Sequence, residues 1–315
     1  MPPPDCSQAD VFCAALVTDT LGVKDHGSNQ DAWLGLEESQ ADKIVDHIAY
    51  IESIDTRDYD RNIAYFAEKG YDVIVTSGIA LQDETLRAAD LYPDSVFVGI
   101  HQPRTDSPPN LISITFPEDQ MGFIAGALAS RLTKTGVAAG VCETSGIDSM
   151  WRYCEGFRAG ASYFGDGINV LIEYREDGDR DKLFVDEAWG YDTASRLIRR
   201  GADVVFAAGG VTGQGALRAA TNAGVFAIGA ERNQAAGLGV SGKGVVTSLY
   251  GQTSFEVREV MRLLRSGQIS EDRIGQIRFI PLGEKFPESL GIEAETLRIM
   301  LWDGRMRTNV LPEKP

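Results

Sequence analysis

The stretch Lys69-Gly70-Tyr71-Asp72-Val73-Ile74-Val75 reads as a helix end, a glycine C-cap, an aspartate and a buried strand. The same punctuation returns at Arg200-Gly201-Ala202-Asp203-Val204-Val205-Phe206. Each copy runs into a glycine-bearing loop, Thr76-Ser77-Gly78-Ile79 in the first and Ala208-Gly209-Gly210-Val211 in the second. Around the first copy, apolar runs predict strands over 12–17, 47–51, 73–76, 96–100 and 111–115, with helices over 32–38, 59–69 and 82–92. An amphipathic helix over 119–132 opens a second series. Its strands are expected over 137–141, 170–174, 204–207 and 225–228, and its helices over 150–163, 190–199 and 213–223. Short apolar strands alternating with helices imply parallel sheets covered on both faces. The fold class is therefore α/β with two structurally alike lobes. Strands over 245–248 and 277–281, with a helix over 255–266 between them, return to the lobes, and a last strand pair is expected over 297–310. The first lobe takes residues 1–118 plus about 250–285, and the second takes 119–249 plus about 286–315.

Composition narrows the function. A chain of 315 residues with 43% apolar content can build two cores, and 34 glycines suit many tight strand–helix turns. The net charge of −16 argues against nucleic acid and anionic membrane surfaces as partners, because their phosphates would repel it. No apolar run of about 18 residues offers a membrane span. The start, Met1-Pro2-Pro3-Pro4-Asp5-Cys6, has neither a basic n-region nor an apolar h-region, so no secretory signal is expected within this sequence. The four cysteines form two near pairs, Cys6/Cys13 and Cys142/Cys154. Local pairing is the simplest of the three possible connectivities; buried free thiols are the alternative. Disulfides would point to an exported protein.

In open α/β sheets, ligands sit at the carboxyl ends of strands, and in a two-lobed protein in the cleft between lobes. Six loops then supply candidates: Asp25, Asn29 and Trp33 in the first; Ser77 with Gly78; His101 after the strand over 96–100; Phe184 and Trp189; Gly209 to Gly213; and Glu231, with Tyr250 and Gly251 beyond the next strand. Trp151 is a further aromatic candidate. Asn29 and Gln30 have a milder reading as caps of a helix starting near Asp31. The aromatics have one as core, and His101 one as a plain surface residue.

Catalytic signals are sparse. There is no Gly-x-Ser-x-Gly elbow and no His-Glu-x-x-His helix. The cysteine spacings match no zinc pattern, and the three histidines are His26, His47 and His101. His26 and His101 with Glu231 would form a minor acid–base or metal alternative. No enzyme, no catalytic residue, no cofactor and no metal are expected.

In order along the chain, Ser28-Asn29-Gln30-Asp31-Ala32-Trp33-Leu34-Gly35-Leu36, Phe116-Pro117-Glu118-Asp119-Gln120-Met121-Gly122-Phe123-Ile124-Ala125-Gly126-Ala127-Leu128, Leu132-Thr133-Lys134-Thr135-Gly136, Glu155-Gly156-Phe157-Arg158-Ala159-Gly160-Ala161 and Ala208-Gly209-Gly210-Val211-Thr212-Gly213-Gln214-Gly215 form a pattern. It resembles the basic membrane protein family of ABC-transporter substrate-binding lipoproteins, which includes the purine nucleoside receptors. The resemblance covers nearly the whole chain. It implies the type I periplasmic-binding-protein fold, with two Rossmann-like lobes, three crossovers and a ligand cleft between them. It also implies an extracytoplasmic monomeric receptor that binds a purine nucleoside, a nucleobase or a similar planar heteroaromatic and docks to an ABC permease. Asn29 matches the asparagine that reads the base, and Phe184 matches the aromatic of a Phe-x-Asp motif.

Four positions depart from that pattern. Gly27-Ser28 precede Asn29 where Ser-Phe is common, and His101 stands where an aspartate is usual. Glu231 closes Gly229-Ala230-Glu231 in place of Gly-Val-Asp, and Tyr250-Gly251 replace an expected lysine. Because an unpaired buried polar group costs about 1–3 kcal/mol, such changes imply an altered ligand or mode of binding. The rival readings are a cytoplasmic ligand-sensing regulatory domain of the same fold, and a nucleoside hydrolase using His101 and Glu231.

Overall fold

The computed structural model describes residues 4–25, 27–104, 106, 108–179, 182–268 and 271–315. In chain order the elements are β1 (Cys13–Val17), α1 (Ser28–Ala41), β2 (His47–Ile51), α2 (Tyr59–Glu68), β3 (Val73–Ser77), α3 (Gln82–Leu91), β4 (Val96–Ile100) and β5 (Leu111–Thr115). They continue with α4 (Glu118–Leu132), β6 (Val137–Cys142), α5 (Asp148–Phe164), β7 (Asn169–Tyr174), α6 (Glu187–Arg199), β8 (Val204–Ala208), α7 (Gly210–Asn222) and β9 (Phe226–Ala230). The last are α8 (Gln234–Gly237), β10 (Val245–Gly251), α9 (Thr253–Arg265), β11 (Arg273–Ile274), β12 (Ile277–Phe279) and α10 (Glu288–Trp302).

The chain divides into two compact units, Met1–Phe116 with Gly251–Gln276, and Pro117–Tyr250 with Ile277–Pro315. The first sheet has the order β11-β5-β4-β3-β1-β2 and the second β12-β10-β9-β8-β6-β7, so the two orders match position by position. β1 pairs in parallel with β2 and β3, and β6 likewise with β7 and β8. Strands β1, β3 and β8 are buried at every residue, which is why their sequences are unbroken apolar or small runs. β2 and β7, last in their sheets, are only partly buried.

The first core gathers Tyr59, Ile63, Phe66, Ile74 and Phe97; the second gathers Val141, Leu197, Val205, Leu217 and Ala227. In the second unit, helices touch through glycine. A Cβ at Gly126 would lie 2.1 Å from the Phe157 carbonyl oxygen, and one at Gly160 would lie 2.0 Å from that of Phe123. Gly122 and Gly156 make the reciprocal approaches between α4 and α5. Two disulfides, Cys6–Cys13 and Cys142–Cys154, follow the local pairing; the first ties the N-terminal segment to β1 and the second ties β6 to α5.

Two expectations are corrected. In place of the strand pair over 297–310, residues 297–302 end helix α10, which buries Leu290, Ala294, Leu297 and Leu301 at helical spacing, and 303–310 follow without a strand. Asn29 and Gln30 do not cap a helix starting near Asp31: α1 begins at Ser28, and both lie inside its first turn. Among the described residues, no helix is long and apolar enough to cross a membrane.

Candidate functional site

In the first unit, the candidates gather where β1, β3 and β4 end. Asn29 is buried in the first turn of α1. Its amide nitrogen donates to Asp19 Oδ1 at 2.8 Å and to Asp25 Oδ2 at 3.2 Å. Two carboxylates fix which way the amide points, because the flipped form would set oxygen against oxygen. Asn29 Oδ1 is thereby turned away from them, a buried acceptor with no hydrogen-bond donor among the described residues.

Asp25, a candidate ligand contact, holds the start of α1. Its two oxygens accept backbone N–H groups of Gly27, Asn29 and Gln30 at 2.8, 3.2 and 3.1 Å, so it caps α1 from outside the helix. Ser28 Oγ lies 2.8 Å from Ser77 Oγ, joining α1 to the end of β3. Asp19 also neighbours Tyr59, whose phenol is pushed up to about 12 by burial and by that carboxylate. His101 has φ +58° and its ring centre lies 5.1 Å from that of Phe116. Trp33 is half-buried, edge-on to Tyr50 at 4.9 Å, on the outer side of β2. His26 lies outside the described residues.

In the second unit, the centre is a residue that sequence reasoning missed. Glu143, directly after β6, is fully buried and paired with Arg175 at 2.6 Å. Its other oxygen accepts from the Phe184 N–H and the Thr212 hydroxyl, both at 2.9 Å. Burial works against the Arg175 charge, but hydrogen bonds to Glu143 and Asp177 outweigh it and hold the guanidinium above its ordinary range. Phe184 is consequently fixed in a left-handed conformation, φ +64°, with its carbonyl accepting the Val211 N–H at 2.8 Å. Glu231, φ +69°, accepts the N–H groups of Gly209 and Gly210 at 3.0 and 2.9 Å with one carboxylate oxygen. That arrangement suits the positive end of α7.

The remaining aromatics divide. Trp151 stacks on Tyr174 with ring centres 6.1 Å apart, and its indole N–H is buried without an acceptor among the described residues. Trp189 packs against the second core, so its ring is committed to packing. Tyr250 lies within β10 and not beyond it, and Gly251 is the last residue of that strand. A Cβ on Gly251 would stand 2.3 Å from the Phe116 ring, which is why no lysine fits there.

Three of the five non-glycine residues with positive φ among the described residues are His101, Phe184 and Glu231. Each such conformation costs on the order of 1–3 kcal/mol, and such strain concentrates at functional loops. His101 and Glu231 are candidates from their places after strands, and Phe184 from its loop and the family resemblance; Thr212 falls in the candidate loop Gly209 to Gly213. Sequence reading did not single out Asp19, Glu143 or Arg175. For the two acids, the available signal was a charge within two residues of the end of an apolar strand; for Arg175, a partner 32 residues away in sequence gave none. Among the described residues, no group of three His, Cys, Asp or Glu is placed to hold a metal ion.

Two parallel sheets of matching order, joined by three chain passages, with strained polar loops at their carboxyl ends, define the type I periplasmic-binding-protein fold. A solute-binding protein from Conexibacter woesei matches at TM-score 0.75 with 21% identity, covering 94% of this chain and 98% of that one. A transcriptional activator of the comK gene from Bacillus halodurans matches at TM-score 0.76 with 18% identity, over 93% and 99%. The model of the ABC transporter substrate-binding protein PnrA-like family matches residues 12–256, and the chain belongs to that family. It is 31% identical over 237 residues to a CD4+ T-cell-stimulating antigen of Listeria monocytogenes, covering 71% of this chain and 63% of the relative. It is 33% identical over 206 residues to the ABC transporter nucleoside-binding protein BmpA of Lactococcus lactis, covering 64% and 56%. The chain thus spans less than two thirds of the length of these curated relatives.

Proposed function

We propose that this protein is an extracytoplasmic receptor of an ABC importer that binds a purine nucleoside, a nucleobase or a similar planar heteroaromatic. The observation that carries the reading is Asn29 Oδ1, a buried acceptor held in a fixed direction in the first turn of α1. A buried polar atom without a partner is costly, so a ligand N–H or O–H there would recover that cost. The family and the nucleoside-binding name of the Lactococcus relative support the ligand class. The aromatics Phe184, in the loop before α6, and Trp151, in the first turn of α5, offer flat surfaces suited to a π system. The two disulfides support an oxidising compartment.

In this reading a permease takes the ligand-loaded protein, which acts as a monomer. Calorimetric titration with purine nucleosides, pyrimidine nucleosides and free bases tests it: at least one purine compound is expected to bind, and no heat across the set would end the ligand assignment.

A cytoplasmic sensing domain is the second reading, favoured by the likeness of fold to the Bacillus halodurans activator. Mass spectrometry of the alkylated native protein separates the two. Intact disulfides support the exported receptor, and free thiols support the sensor. The hydrolase alternative needs Glu231 as an acid or base, yet that carboxylate is engaged with two backbone N–H groups. Absence of released base on incubation with nucleosides is the expected result.

A further inference from the structure

After α10 the chain does not simply trail away; it is tied down at three successive points in the second unit. Thr308 Oγ1 donates to Asp119 Oδ2 at 2.5 Å, in the first turn of α4. Arg152 Nη1, near the start of α5, donates to the Pro312 carbonyl at 3.3 Å. Lys314 Nζ then donates to Ser145 Oγ at 2.6 Å, with Glu176 Oε1 at 3.8 Å.

The middle tie is firmly seated. Arg152 also binds Glu118 at 2.5 Å through Nη2, and Glu118 is buried, with burial pushing its carboxyl up against the pull of Arg152. The last tie meets a loop that belongs to the candidate site. Ser145 follows Glu143 by two residues, and its N–H donates to Glu176 Oε1 at 3.1 Å. The Ser145 hydroxyl also reaches Glu176, and Thr144 Oγ1 donates to Glu176 Oε2 at 3.1 Å. Glu176 in turn adjoins Arg175, the partner of Glu143. Hydrogen bonds from Ser145, aided by Thr144 and the Lys314 charge, hold the Glu176 carboxyl below its ordinary range despite its partial burial.

We infer that the segment from Thr308 to Lys314 is a strap that holds the Thr144–Ser145–Gly146 loop in its ligand-binding form, with Lys314 as a positioning residue. The inference rests on the receptor reading, since it makes the strap act on ligand affinity. The physical logic is local. Ser145 is pinned to Glu176 from one side, and the ammonium closes the same triangle from the other, so the loop following Glu143 loses freedom. The Lys314 side chain is half exposed, so its pair with Glu176 adds little to global stability. Its effect is therefore expected on the loop, not on the fold.

The test uses the full chain with Lys314→Met and Lys314→Arg. Hydrogen exchange of the peptide covering Glu143 to Gly146 reports the loop without any ligand. Titration with inosine, guanosine and adenosine reports binding. The expected result for Lys314→Met is exchange faster by roughly two- to fivefold and affinity weaker by a similar factor. The melting temperature should fall by less than about 2 °C. Lys314→Arg should restore both readouts. Unchanged exchange in Lys314→Met overturns the strap, and so does faster exchange with unchanged affinity. If the wild-type chain binds none of the three nucleosides, the purine-nucleoside form of the receptor reading fails, while the exchange measurement still decides whether Lys314 holds the loop.

Discussion

The two units place comparable residues at comparable strand ends and use them differently. An acid follows the first strand of each, Asp19 after β1 and Glu143 after β6. A glycine with strongly positive φ follows the third, Gly78 and Gly209. A left-handed polar residue follows the fourth, His101 and Glu231. A buried glutamine then folds back over a strand glycine: Gln102 against Gly99, and Gln234 against Gly229. The difference lies in what the acids hold. Asp19 helps to orient Asn29, whose oxygen has no donor among the described residues, whereas Glu143 is consumed by Arg175, Thr212 and the Phe184 backbone. The first unit keeps a polar atom available to a ligand. The second spends its strand-end acid on the shape of its own loops, while the Trp151 indole N–H stays buried without an acceptor among the described residues. Selectivity should therefore be concentrated in the first unit and rigidity in the second.

That contrast breaks most visibly at Glu143. Glu143→Ala leaves Arg175 charged and buried, and a broken buried pair costs about 3–5 kcal/mol. Chemical denaturation should register the loss as a lower midpoint; a variant as stable as the parent would show that the second unit is not braced as described. Reducing the disulfides comes next. Each closes a short loop, and removal of one costs about 2–4 kcal/mol in the usual range. Melting curves with and without reductant should differ accordingly.

Asn29→Ala follows in size and in the other direction of effect. Loss of one buried hydrogen bond to a ligand corresponds to about 1–2 kcal/mol, or roughly five- to thirtyfold in affinity.

The smallest effect is on the acid limb. Burial favours the neutral form of Asp203, but hydrogen bonds from Thr133, Lys134 and Thr135 outweigh it and hold its carboxyl below the ordinary 3.8. A depressed carboxyl means that the native state binds fewer protons, so this contribution is present above pH 3.8 and is lost as the pH falls through the lowered value. Asp203→Asn should flatten the stability profile below about pH 4, measured by urea midpoints against pH.

Much of the architecture was legible because buried parallel strands leave unbroken apolar runs, and because Gly70 and Gly201 mark helix ends by their positive φ. The tail misled because Leu297-Arg298-Ile299-Met300-Leu301-Trp302 suits a strand locally; its helical period shows only when counted from Leu290. The stretches that carry the family likeness turn out to be mostly packing: Gly122, Gly126, Gly156 and Gly160 bring two helix backbones together. Family membership is thus written largely in helix contacts, which say little about a ligand. The site was less legible for the same reason that it is built well. Asp25's hold on the start of α1 leaves no mark in the sequence apart from its place before the helix, and the Glu143–Arg175 pair forms only after two strands are laid side by side.

The central claim is that the first unit selects the ligand through Asn29 while the second is a braced frame. Titration calorimetry of purine nucleosides and bases into the wild-type chain and Asn29→Ala tests it most directly. The account predicts that the wild-type chain binds at least one purine compound and that Asn29→Ala binds it at least about fivefold more weakly, while remaining folded. Equal affinity in a folded Asn29→Ala would contradict it.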